Sequence, residues 1–224
     1  MVLAPNELRN SVIRTAREMM RAGLCVNTSG NVSAAIPGTD AFLITPSGVP
    51  YEELEPASIV LMRRTGLGAW EPEGSFAPSS EWQLHAEAYS EKREIRAIVH
   101  THSPKATAVS CLEEDIPPFH YMVAAAGGID IPCAPYATFG TRELALSAAK
   151  ALEHRRGCLL AHHGVVATGD SLRSALALAL EIENLARMYL DLRASGGMKL
   201  LPEEEMRRVA ERFLSYGQPK RRNP

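Results

Sequence analysis

The segment Ile95-Arg96-Ala97-Ile98-Val99-His100-Thr101-His102 reads as a short buried strand: apart from Arg96 its residues up to Val99 are apolar, and it ends in two histidines one residue apart. Residues i and i+2 of a strand point to one face, so both imidazoles project together from its end, as a chelating pair does. Ser103-Pro104 follows at once, a helix cap and a first-turn proline, ahead of the helix-compatible Lys105-Ala106-Thr107-Ala108-Val109. The histidines thus occupy a strand-to-helix corner, the place where α/β proteins usually keep their chemistry.

Upstream of this corner, Leu8, Val12, Ile13, Ala16, Met19 and Met20 recur at helical spacing, and Gly23 stands where a helix terminator belongs. The polar run Asn27-Thr28-Ser29-Gly30-Asn31-Val32-Ser33 is a loop able to turn backbone N–H groups and short hydroxyl or amide side chains toward one anion. Phe42-Leu43-Ile44 is a strand leading into a second such corner, Thr45-Pro46-Ser47-Gly48. Ile59-Val60-Leu61-Met62 is another strand, folding back as a hairpin through Arg63-Arg64-Thr65-Gly66 to Ala69-Trp70, with Glu71-Pro72-Glu73-Gly74 as a following turn. In Pro78-Ser79-Ser80-Glu81-Trp82-Gln83, Ser80 and Gln83 have capping-box spacing. That spacing predicts a helix from Ser79-Ser80 to about Tyr89, with Glu81 in its first turn and an N-terminus suited to a phosphate. Three such corners would hold a phosphate without a lysine or arginine.

Downstream, residues 122–128 predict a short helix with a glycine stop. The proline-broken Ile131-Pro132-Cys133-Ala134-Pro135-Tyr136 suits an edge strand or an extended loop. Thr141 can cap a helix over 142–151. Residues 158–168 are nearly continuous apolar sequence, expected to form one strand covered on both faces and interrupted by His162 and His163. Successive strand residues face opposite ways, so one of that pair can join a site on a given face. A long amphipathic helix over 172–194, entered at Asp170 or Ser171 and left at Gly196-Gly197, and a last helix over 203–214 follow. The expected organisation is a single domain over 1–217 with 218–224, including Lys220-Arg221-Arg222, as a solvated tail.

A chain of 224 residues, 46% hydrophobic and 22% charged, is that of a globular protein with one full core. Its net charge of -2 gives no reason to expect nucleic acid or an anionic membrane as a partner. No run approaches the roughly 18 apolar residues of a membrane span, and the N-terminus lacks a signal-peptide core. The cytoplasm is the expected location. Cys25, Cys111, Cys133 and Cys158 fit neither a zinc-ribbon nor a disulfide framework and are read as reduced.

Two histidines at i, i+2 and a third from an apolar strand favour a metal over three separate structural roles. Neutral imidazoles add no charge, so three of them leave the Lewis acidity of a divalent ion available, which suits catalysis. A structural zinc more usually closes its shell with four strong protein ligands. His85, His120 and His154 are read as structural or surface residues.

The chain resembles the class II aldolase/adducin family from its first helix to Tyr216-Gly217. The likeness is carried by Ser29-Gly30-Asn31-Val32-Ser33, Thr45-Pro46-Ser47-Gly48, Pro78-Ser79-Ser80-Glu81-Trp82, Val99-His100-Thr101-His102, His120-Tyr121-Met122, the run 132–144 and His162-His163-Gly164. The resemblance implies a three-layer α/β/α fold around a mainly antiparallel central sheet, assembled as a homotetramer with active sites between subunits. It also implies Zn²⁺, with Co²⁺ or Mn²⁺ acceptable to the same donors, held by His100, His102 and His163 with Glu81 as a displaceable fourth ligand and acid/base. A substrate phosphate would rest on Asn31, Ser47, Gly48, Ser79 and Ser80, with Thr28 and Gly30 close by. Tyr121 would reach in from a neighbouring subunit to the aldehyde oxygen, Phe139 would line the aldehyde side, and Tyr216 would help close the site. The implied reaction is reversible cleavage of a ketose 1-phosphate, L-fuculose 1-phosphate foremost, to dihydroxyacetone phosphate and an aldehyde such as L-lactaldehyde. A 5-deoxypentulose or methylthio-pentulose 1-phosphate is an alternative substrate. Thr101, between the paired histidines, is more like the pentulose-5-phosphate 4-epimerases of the same superfamily, whereas Ser79-Ser80-Glu81 is more like the aldolases. A non-catalytic adducin-like interaction domain would have lost metal ligands that are all present here.

Overall fold

The strand ending at the paired histidines lies in the middle of an eight-stranded sheet. In the computed structural model, which describes residues 5–66 and 68–215, the chain forms α1 (Pro5–Arg21), β1 (Asn31–Ala35), β2 (Ala41–Ile44), β3 (Val60–Arg64), β4 (Trp70–Glu73), α2 (Trp82–Glu91) and β5 (Ala97–Thr101). It continues through α3 (Pro104–Ser110), β6 (Cys133–Ala134), α4 (Arg142–Ala151), β7 (Gly157–Leu160), β8 (Gly164–Gly169), α5 (Leu172–Ala194) and α6 (Glu203–Ser215). Sheet order is β4-β3-β2-β1-β5-β8-β7-β6, antiparallel throughout except for the β6–β7 pair at one edge. Tyr216 and the expected 218–224 tail lie outside the described residues.

Alternation along the strands sorts their side chains into two cores, making three layers. Ile98 and Val166 pack with Leu84 of α2 and Leu144 of α4. Their neighbours Val99 and Val165 pack on the opposite face with Val12 of α1, Val109 of α3 and Ile182 of α5. His100, two residues beyond Ile98, therefore projects on the same face as α2. The fold agrees with the three-layer, mainly antiparallel expectation. None of the described helices is long and apolar enough to cross a membrane.

Four local expectations need correction. The apolar run 158–168 is not one strand but the hairpin β7–β8, turning at 161–163 with His162 at φ +54. Both of its strands are covered on both faces, so no polar alternation marks the break between them. The Ser80–Gln83 capping box does not form: Glu81 is the N-cap of α2, without a side-chain cap bond, and its N–H instead donates to Ser79 Oγ at 3.3 Å. β4 runs through Glu71-Pro72-Glu73, read as a turn, because the strand is at the sheet edge, where the missing proline N–H costs no ladder bond. Ser103 makes no side-chain cap to α3; the N–H groups of Lys105 and Ala106 donate instead to the Glu183 carboxylate at 2.9 and 2.8 Å.

Antiparallel pairing brings the chemistry-bearing corners together. The start of β1 lies beside the ends of β2 and β5, and the end of β5 lies beside the start of β8: Asn31 pairs with His100, and Thr101 with Val165. The corner after β2 is tied to the segment before α2 by the bridge between Pro46 and Pro78. One end of the sheet thus carries residues 28–31, 45–48, 79–81, 100–102 and 163.

Candidate active site

His100 is fully buried, and its Nδ1 lies 2.8 Å from the Val165 carbonyl. A carbonyl can only accept, so the proton sits on Nδ1 and Nε2 points into the cluster. His102 Nε2 is 3.1 Å from that atom. His163 completes a triad whose ring centroids are 4.8 to 5.0 Å apart and whose planes are 77 to 81° to one another. Glu81, only 6% exposed, spans two of the rings, with Oε2 3.1 Å from His100 Nε2 and Oε1 3.1 Å from His163 Nε2.

One donor atom from each of these four residues lies within 4.8 Å of all the others. Tetrahedral zinc with arms of about 2.0–2.1 Å would place adjacent donors about 3.3 Å apart. Glu81 Oε1 is buried with His163 Nε2 3.1 Å away but no well-aligned hydrogen-bond donor among the described residues, which leaves it free to ligate an ion. Three imidazoles and a carboxylate converging in this way fit a divalent metal.

Burial alone would raise the Glu81 carboxyl, but His100 and then His163 outweigh it and hold the group well below the usual carboxylate range. Burial likewise opposes charge on His100, yet Glu81 and the Val165 carbonyl leave it raised. His102 is pushed down to about 4, first by burial and then by the charges of His100 and His163. His162 takes no part: the turn directs it outward, half-exposed, to Glu113 at 2.9 Å.

Beside the triad lies a cleft of about 290 Å³. Thr28, Gly30, Asn31, Ser47, Gly48, Ser79, Ser80 and Phe139 all line it, with Glu81, His102 and His163, and no lysine or arginine is among its lining residues. The Ser47 and Ser79 N–H groups are already given to the Ala77 and Thr45 carbonyls, so a ligand meets hydroxyl and amide side chains rather than these two donors. Gly30 permits the loop to lie against β5: a Cβ there would stand 2.8 Å from the His100 carbonyl oxygen. The Tyr51 hydroxyl donates to the Gly30 carbonyl from beneath.

Tyr121 is expected to serve the site of a neighbouring subunit. It is half-exposed at the start of a 3-10 turn and does not line the cleft of its own chain; Tyr216 lies outside the described residues. His120 and His154 have the bland places expected of them, the first accepting from the Met122 N–H and the second at the surface. His85 does not. It is completely buried, one turn along α2 from Glu81, with its ring nitrogens on Asn31 and Ser33. The i, i+4 spacing to Glu81 was the available signal.

Comparison with known proteins follows the same outline. Residues 10–190 match the family described as the class II aldolase and adducin N-terminal domain. The chain is 48% identical to the L-fuculose phosphate aldolase of Escherichia coli K12, over 95% of this chain and 96% of that protein. It is 45% identical to the 5-methylthioribulose-1-phosphate/5-deoxyribulose-1-phosphate aldolase of Rhodospirillum rubrum, over 94% and 92%. A solved L-fuculose 1-phosphate aldolase superposes with a TM-score of 0.88 at 38% identity, covering 93% of this chain and 96% of the other.

Proposed function

Because the chain belongs to the class II aldolase and adducin family and carries a divalent-metal site of three histidines and a glutamate, we propose that it cleaves a ketose 1-phosphate reversibly to dihydroxyacetone phosphate and a small aldehyde. L-fuculose 1-phosphate, giving L-lactaldehyde, is the first candidate substrate. The observation that carries the reading is the convergence of four metal-binding side chains on a cleft of hydroxyl and amide groups without a side-chain cation. The relative from Rhodospirillum rubrum favours a second substrate, a 5-deoxypentulose or methylthio-pentulose 1-phosphate.

His100, His102 and His163 would hold the ion, with zinc proposed and cobalt or manganese compatible with the same donors. Bound there, such an ion would supply Lewis acidity toward the substrate oxygens and toward the charge that develops as the carbon–carbon bond breaks. Asn31, Ser47, Ser79 and Ser80 hold the phosphate and fix the three-carbon end. Glu81, displaced from the ring nitrogens, takes the proton from the hydroxyl at the breaking bond and returns one to the carbon of the three-carbon fragment. Moving away from the cationic cluster raises its proton affinity, which suits both duties. Phe139 lines the aldehyde side. Tyr121 of a neighbouring subunit in a homotetramer binds or protonates the aldehyde oxygen, and Tyr216 helps to close the site.

The one local feature that favours the epimerase alternative lies away from the triad. Thr101 is fully buried, and its hydroxyl lies 3.4 Å from Ser103 Oγ on the face away from the triad. The deciding experiment is a coupled assay for dihydroxyacetone phosphate across ketose 1-phosphates, with pentulose 5-phosphate epimerisation as a separate arm and chelator added to each. Chelator-sensitive release is expected, and Glu81→Gln should retain metal while losing turnover by at least 100-fold. Near-normal turnover in that variant removes Glu81 from the mechanism; epimerisation without release replaces the reaction.

A further inference from the structure

The ring nitrogens of His85 are engaged away from the metal triad, and the polar atoms around it form a chain whose direction chemistry fixes. The Glu81 carboxylate can only accept, so the Asn31 atom 3.1 Å from its Oε2 has to be the carboxamide nitrogen. Asn31 Oδ1 then faces His85 Nε2 at 2.5 Å, which requires the imidazole proton on Nε2. Nδ1 is left as an acceptor, and Ser33 Oγ, 2.6 Å away, donates to it. Ser33 in turn accepts from the Tyr89 hydroxyl at 2.7 Å. Four hydrogen bonds therefore run one way, from Tyr89 through Ser33, His85 and Asn31 to Glu81.

All five residues are buried. Reversing any one link leaves two donors or two acceptors face to face where water cannot intervene. The Asn31 carboxamide is the sensitive member, because its two ends differ little in shape. Flipped, it would turn its carbonyl oxygen toward the Glu81 carboxylate and toward an anion in the cleft. Burial supports the neutral ring that this chain needs: first burial and then the nearby His100 charge push His85 down to about 3, against a smaller opposing effect of Glu81.

We infer that His85 is a positioning residue, its Nε2–H locking the Asn31 carboxamide so that its NH2 group faces Glu81 and the ligand cleft; the catalytic part of this role rests on the aldolase reading of that cleft. The His85 ring nitrogens bond to Asn31 and Ser33, neither of them a metal ligand, and His85 does not line the cleft. It acts through Asn31, by setting which atom of that side chain an incoming phosphate meets.

Selective ¹⁵N labelling of histidine in the full, zinc-loaded chain reads the tautomer directly. A His85 ring protonated at Nε2 and bare at Nδ1 is expected; the opposite tautomer overturns the inference. Inorganic phosphate titrated calorimetrically then compares two variants with the wild type. His85→Gln keeps an N–H near the position of Nε2 and should bind phosphate within threefold of the wild type. His85→Leu removes that donor and should weaken phosphate at least tenfold, with zinc per chain unchanged and a matching rise in KM. In an Asn31→Ala background, His85→Leu should cost less than twofold more; a further tenfold loss would mean that His85 acts by packing alone, and overturns the role. A wild-type chain that cleaves no ketose phosphate would sink the aldolase reading, while the tautomer and phosphate titrations would still decide the place of His85.

Discussion

At the scale of single residues, the site depends on protonation states that burial enforces. His85 is 0% exposed and stays neutral until about pH 3, whereas an unfolded histidine titrates near 6.5. Its folded pKa is depressed, so between these values the unfolded chain binds the extra proton, and stability falls as pH falls. From pH 7 to pH 5 the cost attributable to His85 is about 2 kcal/mol. The stability gap between wild type and His85→Gln should therefore close by about that amount when urea unfolding is repeated at pH 5. A gap independent of pH would mean that the buried ring titrates as it does in the unfolded chain, and a gap that widens would mean that it is already charged at neutrality. The opposing titrations of Glu81 and His100 are present in both chains and cancel in the comparison.

Secondary-structure elements were legible where a periodic pattern met a clear stop. α1 ends before Gly23 at φ +74, α4 starts at a Thr141 cap that accepts from the Leu144 N–H, and α5 starts at a Ser171 capping box. The β7–β8 hairpin was not legible, because buried strands and a tight turn containing Ala161 share one apolar composition. That turn decides which histidine joins the cluster: His163 enters and His162 leaves, by hairpin geometry rather than by alternation within one strand. Gly164 is the tightest point, since a Cβ there would stand 2.2 Å from the Thr101 carbonyl oxygen and 3.2 Å from His102 Cδ2. Gly164→Ala should destabilise the fold by on the order of 1–3 kcal/mol through overpacking and weaken zinc binding. Urea unfolding and competition with a chromophoric chelator measure the two effects; unchanged metal affinity would show that the β5–β8 contact does not set the ligand geometry.

For the whole molecule, the proposed tetramer makes a prediction that a site contained in one chain does not. If Tyr121 is supplied by a neighbour, Glu81→Gln and Tyr121→Phe chains, each weakly active alone, should complement when unfolded together and reassembled. Random mixing around a fourfold ring leaves about a quarter of the sites with both native residues. Activity no greater than the sum of the parents would place both groups in one subunit. The sequence by itself determined the α/β class, the paired histidines at a strand end, the cation-free polar corners and the family, because periodicity, caps and short motifs are local properties. Strand alternation left His162 and His163 open and only the family resemblance pointed to His163, which the tertiary structure places against His100; the tertiary structure alone decided that Glu81 forgoes a capping box to bridge two imidazoles and that His85 is wired to Glu81 through Asn31. These facts depend on antiparallel pairing that brings termini of β1, β2, β5 and β8 to one end of the sheet, and strand neighbours distant in sequence leave no local trace of their register.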